Sequence, residues 1–415
     1  MIAGFLNRRL EGVDRRAMGV LSAGHLFTDV SQGAVPALLP FFVEERHFSI
    51  PAASALILAA TISSSIIQPL FGHLSDRRSL PWLIPLGPGV GGLGIALAGL
   101  APTYPLTFAA IVLSGLGVAA FHPEGSRFAN YVSGDRRASG MSLFSVGGNL
   151  GFALGPVIVT PLVLAFGLHG TLFVLIPTSL MAVVLLHELP RLRKFRPDVV
   201  GGRVQPSHEP AAWKPFAVLG AVIALRSVIY FGMVSFIPLY YVDVLHTGKA
   251  FGSAALTAML VGGAVGTLTG GPLADRFGRR AVLIGSMVAL PPLIVAFLLS
   301  GPGLALFFAA VAGAATIATF AVTIVMGQEY LPGRIGVSSG VTIGLSIGLG
   351  GVAAPLLGLI GAAHGLRSVF ETLVFLPLLA LPLVLALPRK APGRQASGRE
   401  LRREGRELRA REHAA

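Results

Sequence analysis

Gly271-Pro-Leu-Ala-Asp-Arg-Phe-Gly-Arg-Arg280 is a short charged stretch between two long apolar runs. It has an echo at Gly72-His-Leu-Ser-Asp-Arg77, also between two apolar runs. Gly72 and Gly271, Leu74 and Leu273, Asp76 and Asp275, and Arg77 and Arg276 all stand 199 residues apart. Pro156 and Pro355, each in a Gly-rich run, keep the same offset. Two landmarks at one spacing describe a chain built as two halves of one plan, with the charged stretches as loops at the hinge points of each half.

The runs on either side set the class. The chain has 415 residues, of which 53% are hydrophobic and 12% charged, with mean hydropathy +0.75. A soluble domain carries roughly 25% charged residues, so this chain does not solvate itself as a globule. Apolar runs of about 20 residues recur along it, each long enough for a hydrocarbon core of about 30 Å. The expectation is an all-α polytopic membrane protein, since a transmembrane barrel shows shorter, alternating segments. Twelve spans are expected: 17–42, 52–71, 82–100, 105–121, 139–162, 171–186, 215–241, 253–271, 281–300, 304–328, 338–361 and 369–387. They divide the chain into a first bundle (1–187), an Arg- and Pro-rich linker (188–214), a second bundle (215–387) and a basic tail (388–415). There is no cysteine, hence no disulfide or thiol chemistry. No cleavable signal is evident, because the first apolar run is too long and too polar in its middle.

The net charge of +13 has a topological explanation. With the N-terminus in the cytoplasm, 28 of the 32 Lys and Arg fall on the cytoplasmic side. Arg46, Lys249 and Arg367 fall outside, and Arg226 falls within a span. Lys and Arg favour cytoplasmic loops, so both termini are expected inside, in the cytoplasmic (inner) membrane of a bacterium. Lipid headgroups, and not nucleic acid, are the expected partners of the basic loops. The tail alternates Arg and Glu at helical spacing and reads as a surface helix or a solvated extension.

In the 271–280 stretch, Gly271 and Gly278 permit tight turning. Asp275 suits the start of a neighbouring helix, where free N–H groups favour a negative group. Arg276, Arg279 and Arg280 are left to pair with it or with lipid phosphate. Glycines four apart form flat stripes that let helix backbones approach: Gly147, Gly151 and Gly155; Gly262, Gly266 and Gly270; Gly340, Gly344 and Gly348.

These residues carry a resemblance. The 271–280 stretch and its echo resemble the signature of the major facilitator superfamily, found between spans 2 and 3 and again between spans 8 and 9. The first copy, Gly72, Asp76 and Arg77, lacks the later Gly-Arg-Arg. Gly24-His-Leu-Phe-Thr-Asp29, Gln68-Pro-Leu-Phe-Gly72, Phe121-His-Pro-Glu-Gly-Ser-Arg127 and the run from Gly140 to Pro156 look like the fosmidomycin resistance protein branch of that superfamily. The resemblance implies two six-helix bundles related by a pseudo-two-fold axis along the membrane normal. It also implies alternating access, a latch formed by the charged motifs, and spans 5 and 8 and spans 2 and 11 facing each other between the halves. On that basis the glycine stripes are expected at a sliding interface, with static helix packing as the alternative. The branch implies efflux of small compounds, the eponymous one a phosphonate. Gly151-Phe-Ala-Leu-Gly155-Pro156 resembles an antiporter motif of the family, although Val157 to Thr160 replace its trailing glycine pair.

Ionisable groups inside a span cost at least ~2.5 kcal/mol on insertion scales and should face a cavity or a partner. Asp29 lies in span 1 with His25 one turn before it and Gln32 just beyond. Arg226 lies in span 7 with Tyr230 one turn beyond. In one reading Asp29 carries a proton tuned by His25, and Arg226 holds an anionic group of the cargo in its planar fork. In the other the two form a fixed salt bridge between the halves. Gln68 and Asn149 are polar groups within spans that touch cargo or another helix. His122, Glu124 and Arg127 fall at the cytoplasmic end of span 4 as a gate. No nucleotide-binding Gly-x-x-x-x-Gly-Lys-Ser/Thr occurs, so no cofactor is expected and a proton gradient supplies the energy. No zinc-type His-Glu-x-x-His or nucleophile–base pair supports an enzyme, and no metal site is expected. The expected protein is a monomeric, proton-coupled efflux antiporter, with a metabolite importer as the alternative.

Overall fold

The computed structural model describes residues 13–68, 70–71, 80–134, 137–195, 211–331 and 335–388. The echo motif with Gly72, Asp76 and Arg77, most of the linker and the basic tail lie outside the described residues. Among the described residues, ten stretches are long and apolar enough to span a membrane. One of them, Leu143–Arg193, holds two helices joined by the 3-10 stretch Gly167–Val174, and Ile50–Ile66 is a shorter apolar helix. The described helices are therefore twelve: α1 Arg15–Glu45, α2 Ile50–Ile66, α3 Leu83–Leu100, α4 Tyr104–Val132, α5 Arg137–Phe166, α6 Leu175–Arg193, α7 Trp213–Asp243, α8 Lys249–Phe277, α9 Arg279–Leu299, α10 Pro302–Tyr330, α11 Ile335–His364 and α12 Leu366–Ala386.

The 199-residue repeat is visible in the packing. α1 lies on α5 and α6 as α7 lies on α11 and α12. α2 lies on α4 as α8 lies on α10, and α3 on α6 as α9 on α12. The halves meet through α2 with α11, α5 with α8, and α1 with α7, the pattern a two-fold axis gives. The backbone repeats in detail. His47 (φ 55°) and His246 (φ 51°) are the two non-glycine residues of positive φ among those described, and they stand at the same offset. The N–H groups of Phe48 and Thr247 donate to the carbonyls of Phe42 and Tyr241, again 199 residues apart.

The 271–280 stretch is mostly not a loop. α8 runs on to Phe277, and the turn into α9 is made at Gly278 alone, whose φ of 91° is open to glycine and strained for other residues. Asp275 is exposed, and α9 starts without a side-chain cap. The expected capping role for Asp275 is therefore not seen. Arg279 pairs with Glu329 of α10, and Arg280 donates to the Leu385 carbonyl of α12. Both arginines fasten α9 within its own half.

The glycine stripes do not lie where the resemblance placed them. Cβ atoms on Gly147 and Gly151 would meet the backbone at Ser22 and Leu26 of α1, and one on Gly155 the backbone at Gly33. Cβ atoms on Gly262, Gly266 and Gly270 would meet the carbonyls of Ala310, Ala314 and Ala318 of α10. These two stripes fasten helices within each half. Lipid gives apolar helices no hydrophobic reason to associate, so close backbone packing holds each half together. A four-residue spacing fixes a face but not the partner that face meets. In the third stripe, Gly344 and Gly348 have no described atom near an added Cβ. The close crossing between halves uses other glycines: Gly351 lies on Thr61 and Gly358 on Ser54, both pairs between α11 and α2.

Candidate functional site: a cavity between the two halves

α1 carries the first wall. Asp14 caps it by accepting from the Ala17 N–H (2.8 Å), and Arg191 of α6 bonds the same carboxylate (2.8 Å). Arg16 and Glu188 form a second tie between α1 and α6. Residues 33–42 of α1 and 231–241 of α7 are buried throughout, whereas burial alternates on the stretches before them. Beside the Gly358–Ser54 crossing, two polar contacts among the described residues bind the halves at this fully buried end. Lys249 Nζ lies 2.9 Å from Glu44 Oε2, and the hydroxyls of Thr160 and Ser253 are 2.6 Å apart. The two halves are thus tied together at the end away from Arg15 and Ala386, and a cavity of about 440 Å³ lies between them at mid-depth, beside the stretches where burial alternates.

Asp29 lies on one wall, 9% exposed. His25 Nε2 is 3.3 Å from its Oδ2 and His122 Nε2 is 3.1 Å from its Oδ1. His25 is held in turn. Its Nδ1 donates to the Phe144 carbonyl (2.8 Å), and its ring stacks on Phe144 at 4.2 Å between centroids. Gly148 completes the pocket, because a Cβ there would meet His25 Nε2 and Asp29 Oδ2.

Arg226 lies on the other wall, 2% exposed. Its Nη2 donates to Ser346 Oγ (2.7 Å), and Ser346 Oγ donates to the Thr342 carbonyl (2.7 Å). Ser227 Oγ donates to the Ser346 carbonyl, and the guanidinium lies 5.3 Å from the Phe320 ring. Arg226 Nε has no hydrogen-bond partner, and among the described residues no carboxylate pairs with this buried cation. Phe320 comes to the site because α10 breaks at Ala318 and Thr319. There the hydroxyls of Thr316 and Thr319 turn back to the carbonyls of Ala312 and Thr316.

Gln32, Asn149 and Tyr230 line the same cavity, as do His25, Asp29 and Arg226. Gln68 does not line it. The fixed Asp29–Arg226 bridge is absent: Asp29 meets His25 and His122 on its own wall, and Arg226 bonds Ser346 on the other. His122 is not at the end of its span. The expected span stopped at residue 121, but α4 continues to Val132, which leaves His122 about three turns inside it. The polar run from His122 to Arg127 hid that continuation. Glu124 is fully buried and accepts the Leu80 N–H (2.8 Å), with Arg127 at 3.8 Å. It pins the entry to α3 and is not part of the cavity wall. Phe144, Gly148, Ser227 and Ser346 were missed in the sequence. Gly148 alone had a signal, as the extra glycine beside Gly147.

Comparison with known proteins agrees with this geometry. The family description "Major Facilitator Superfamily" matches residues 21–260 and 244–413. An uncharacterized MFS-type transporter, YfnC, of Bacillus subtilis is 32% identical over 382 residues, 89% of this chain and 92% of its own. The fosmidomycin resistance protein of Escherichia coli is 32% identical over 381 residues, with the same coverage. The fold is similar to that of a bacterial homolog of the human lysosomal transporter Spinster, with a TM-score of 0.73 at 14% identity over 89% of this chain and 95% of that one. The halves, the cavity between them and these likenesses agree: the chain belongs to the major facilitator superfamily of transporters and resembles its fosmidomycin resistance branch.

Proposed function

We propose that the protein is a proton-coupled secondary transporter that exports small anionic compounds, phosphonates of the fosmidomycin kind among them, from the cytoplasm of a bacterium. It works as a monomer in the inner membrane with both termini inside. The observation that carries this reading is one cavity with two opposed walls: a carboxylate held by two histidines, and a buried guanidinium with no carboxylate partner. The free Nε and the planar fork of Arg226 suit an oxyanion, and a charge-assisted hydrogen bond is about twice as strong as a neutral one. Protons enter at the Asp29 cluster. Cargo and protons occupy this cavity in alternation, and that mutual exclusion couples the two fluxes. The basic bias of the loops supports termini in the cytoplasm, and with the far end tied together the cavity is reached from that side. The conformation is then the one that loads cargo for export.

Growth of a pump-deficient bacterial host in fosmidomycin, with and without the protein, tests the cargo. Inside-out vesicles with a pH-sensitive dye test the coupling. Export by exchange moves protons out of the vesicle lumen as drug enters it. Equal sensitivity of the two strains refutes the drug reading, and proton movement in the same direction as the drug refutes antiport.

A further inference from the structure

The groups around Asp29 hold more lone pairs than their hydrogen bonds use. A carbonyl oxygen only accepts, so the bond from His25 Nδ1 to the Phe144 carbonyl places that ring's hydrogen on Nδ1. In the neutral ring Nε2 is then a bare lone pair, and it faces Asp29 Oδ2 at 3.3 Å. Two acceptors held face to face call for a cation between them. On the other carboxylate oxygen stands His122 Nε2, at 3.1 Å. The ligand atoms of the three residues all lie within 4.8 Å of one another.

A tetrahedral ion bound at about 2.0–2.1 Å has edges of about 3.3–3.4 Å between its ligands. The two measured separations are near that edge length and run to different carboxylate oxygens, so rotation of the carboxylate is what brings one oxygen to an ion shared by both imidazoles. A ring nitrogen held by a backbone carbonyl is also how proteins orient an imidazole whose second nitrogen binds metal. Gly148 keeps the space beside these atoms free of a side chain.

We propose that His25 Nε2, the Asp29 carboxylate and His122 Nε2 form a binding site for one divalent transition-metal ion of the zinc class. Imidazole with a single carboxylate suits Zn²⁺, Co²⁺ and Ni²⁺, whereas Mg²⁺ and Ca²⁺ prefer all-oxygen shells. The fourth position opens into the cavity that Arg226 also lines. A bound ion there gives an anionic ligand a second positive anchor. Protons and the ion are alternative occupants of the same lone pairs.

The test uses the full chain, purified in detergent through a tag without histidine and stripped with a chelator. Co²⁺ is the probe, followed by its visible absorption and by calorimetry. The expected result is one Co²⁺ per chain with an intense tetrahedral-type spectrum. His25→Ala, His122→Ala and Asp29→Asn should each weaken binding at least about tenfold, and the double His25→Ala/His122→Ala variant should abolish the spectrum. His187→Ala, at an exposed site on α6, should leave it unchanged. Asp29→Asn keeps the shape of the side chain, so it remains informative if a histidine variant misfolds. Absence of saturable Co²⁺ binding by monodisperse protein overturns the proposal, as does binding that survives in the double variant. Drug export plays no part in this readout, so failure of the metal site leaves the transport reading standing.

Discussion

Replacing Lys249 by alanine is expected to loosen the closed end of the molecule. Lys249 Nζ lies 2.9 Å from Glu44 Oε2 and 4.5 Å from the centre of the Phe41 ring. Glu44 is 63% exposed, so solvent weakens the ion pair to about 0.5 kcal/mol. Lys249 itself is mostly buried, and the ring contact contributes about 0.5–1 kcal/mol more. Loss of both removes about 1–1.5 kcal/mol, which shifts the balance toward the alternative conformation by roughly 5- to 12-fold. Glu44→Gln removes the ion pair and leaves the ring contact, so its shift should be only about twofold. The chain has no cysteine, so a pair introduced at the exposed positions Glu45 and Ala250 can be spin-labelled without background. Electron–electron distance measurements in liposomes then read the two populations directly. The reasoning fails if Lys249→Ala changes them by less than twofold, or if Glu44→Gln matches it.

Gly358→Val should act at the same end by a different route, since its side chain would meet Ser54 where α11 crosses α2. The same label pair should report separation, while thermal stability of each half changes little. Arg226→Gln should raise the half-saturating cargo concentration by roughly 10- to 150-fold, the value of about 1.5–3 kcal/mol for a hydrogen bond to a charged group. It should not lower the melting temperature in step, because the variant also removes a desolvated charge. Asp14→Ala should cost about 1 kcal/mol at neutral pH through loss of the α1 cap. The Ala17 N–H first, and Arg191 after it, hold the Asp14 carboxyl below its ordinary range. A lowered folded pKa stabilises above the unfolded value of about 3.9 and loses that contribution as pH falls through the folded value. The difference in melting temperature between wild type and variant should therefore close in strong acid.

Much of the fold was legible in the residues because its signals are long and local. Apolar length marked the spans, and the 199-residue echo at 72–77 and 271–280 marked the repeat. The same offset reappears in the backbone at His47 and His246, where sequence showed nothing. Asp29 and Arg226 were legible as site candidates for a related reason: an ionised group in an apolar run is costly wherever the helix packs. Span ends were less legible. At His122–Arg127 a polar run inside a helix looks like a helix end, although α4 continues.

The sequence by itself determined a repeated, twelve-span membrane chain with one acidic and one basic group at depth. Partnership was decided only by the tertiary structure. Gly147, Gly151 and Gly155 declare a flat face, but packing chose α1 to cover it. Asp29 declares a need for a partner, but α4 supplied His122, 93 residues away, and left Arg226 to Ser346. Periodicity along one helix specifies which residues share a face, and only the placement of other helices specifies what that face meets.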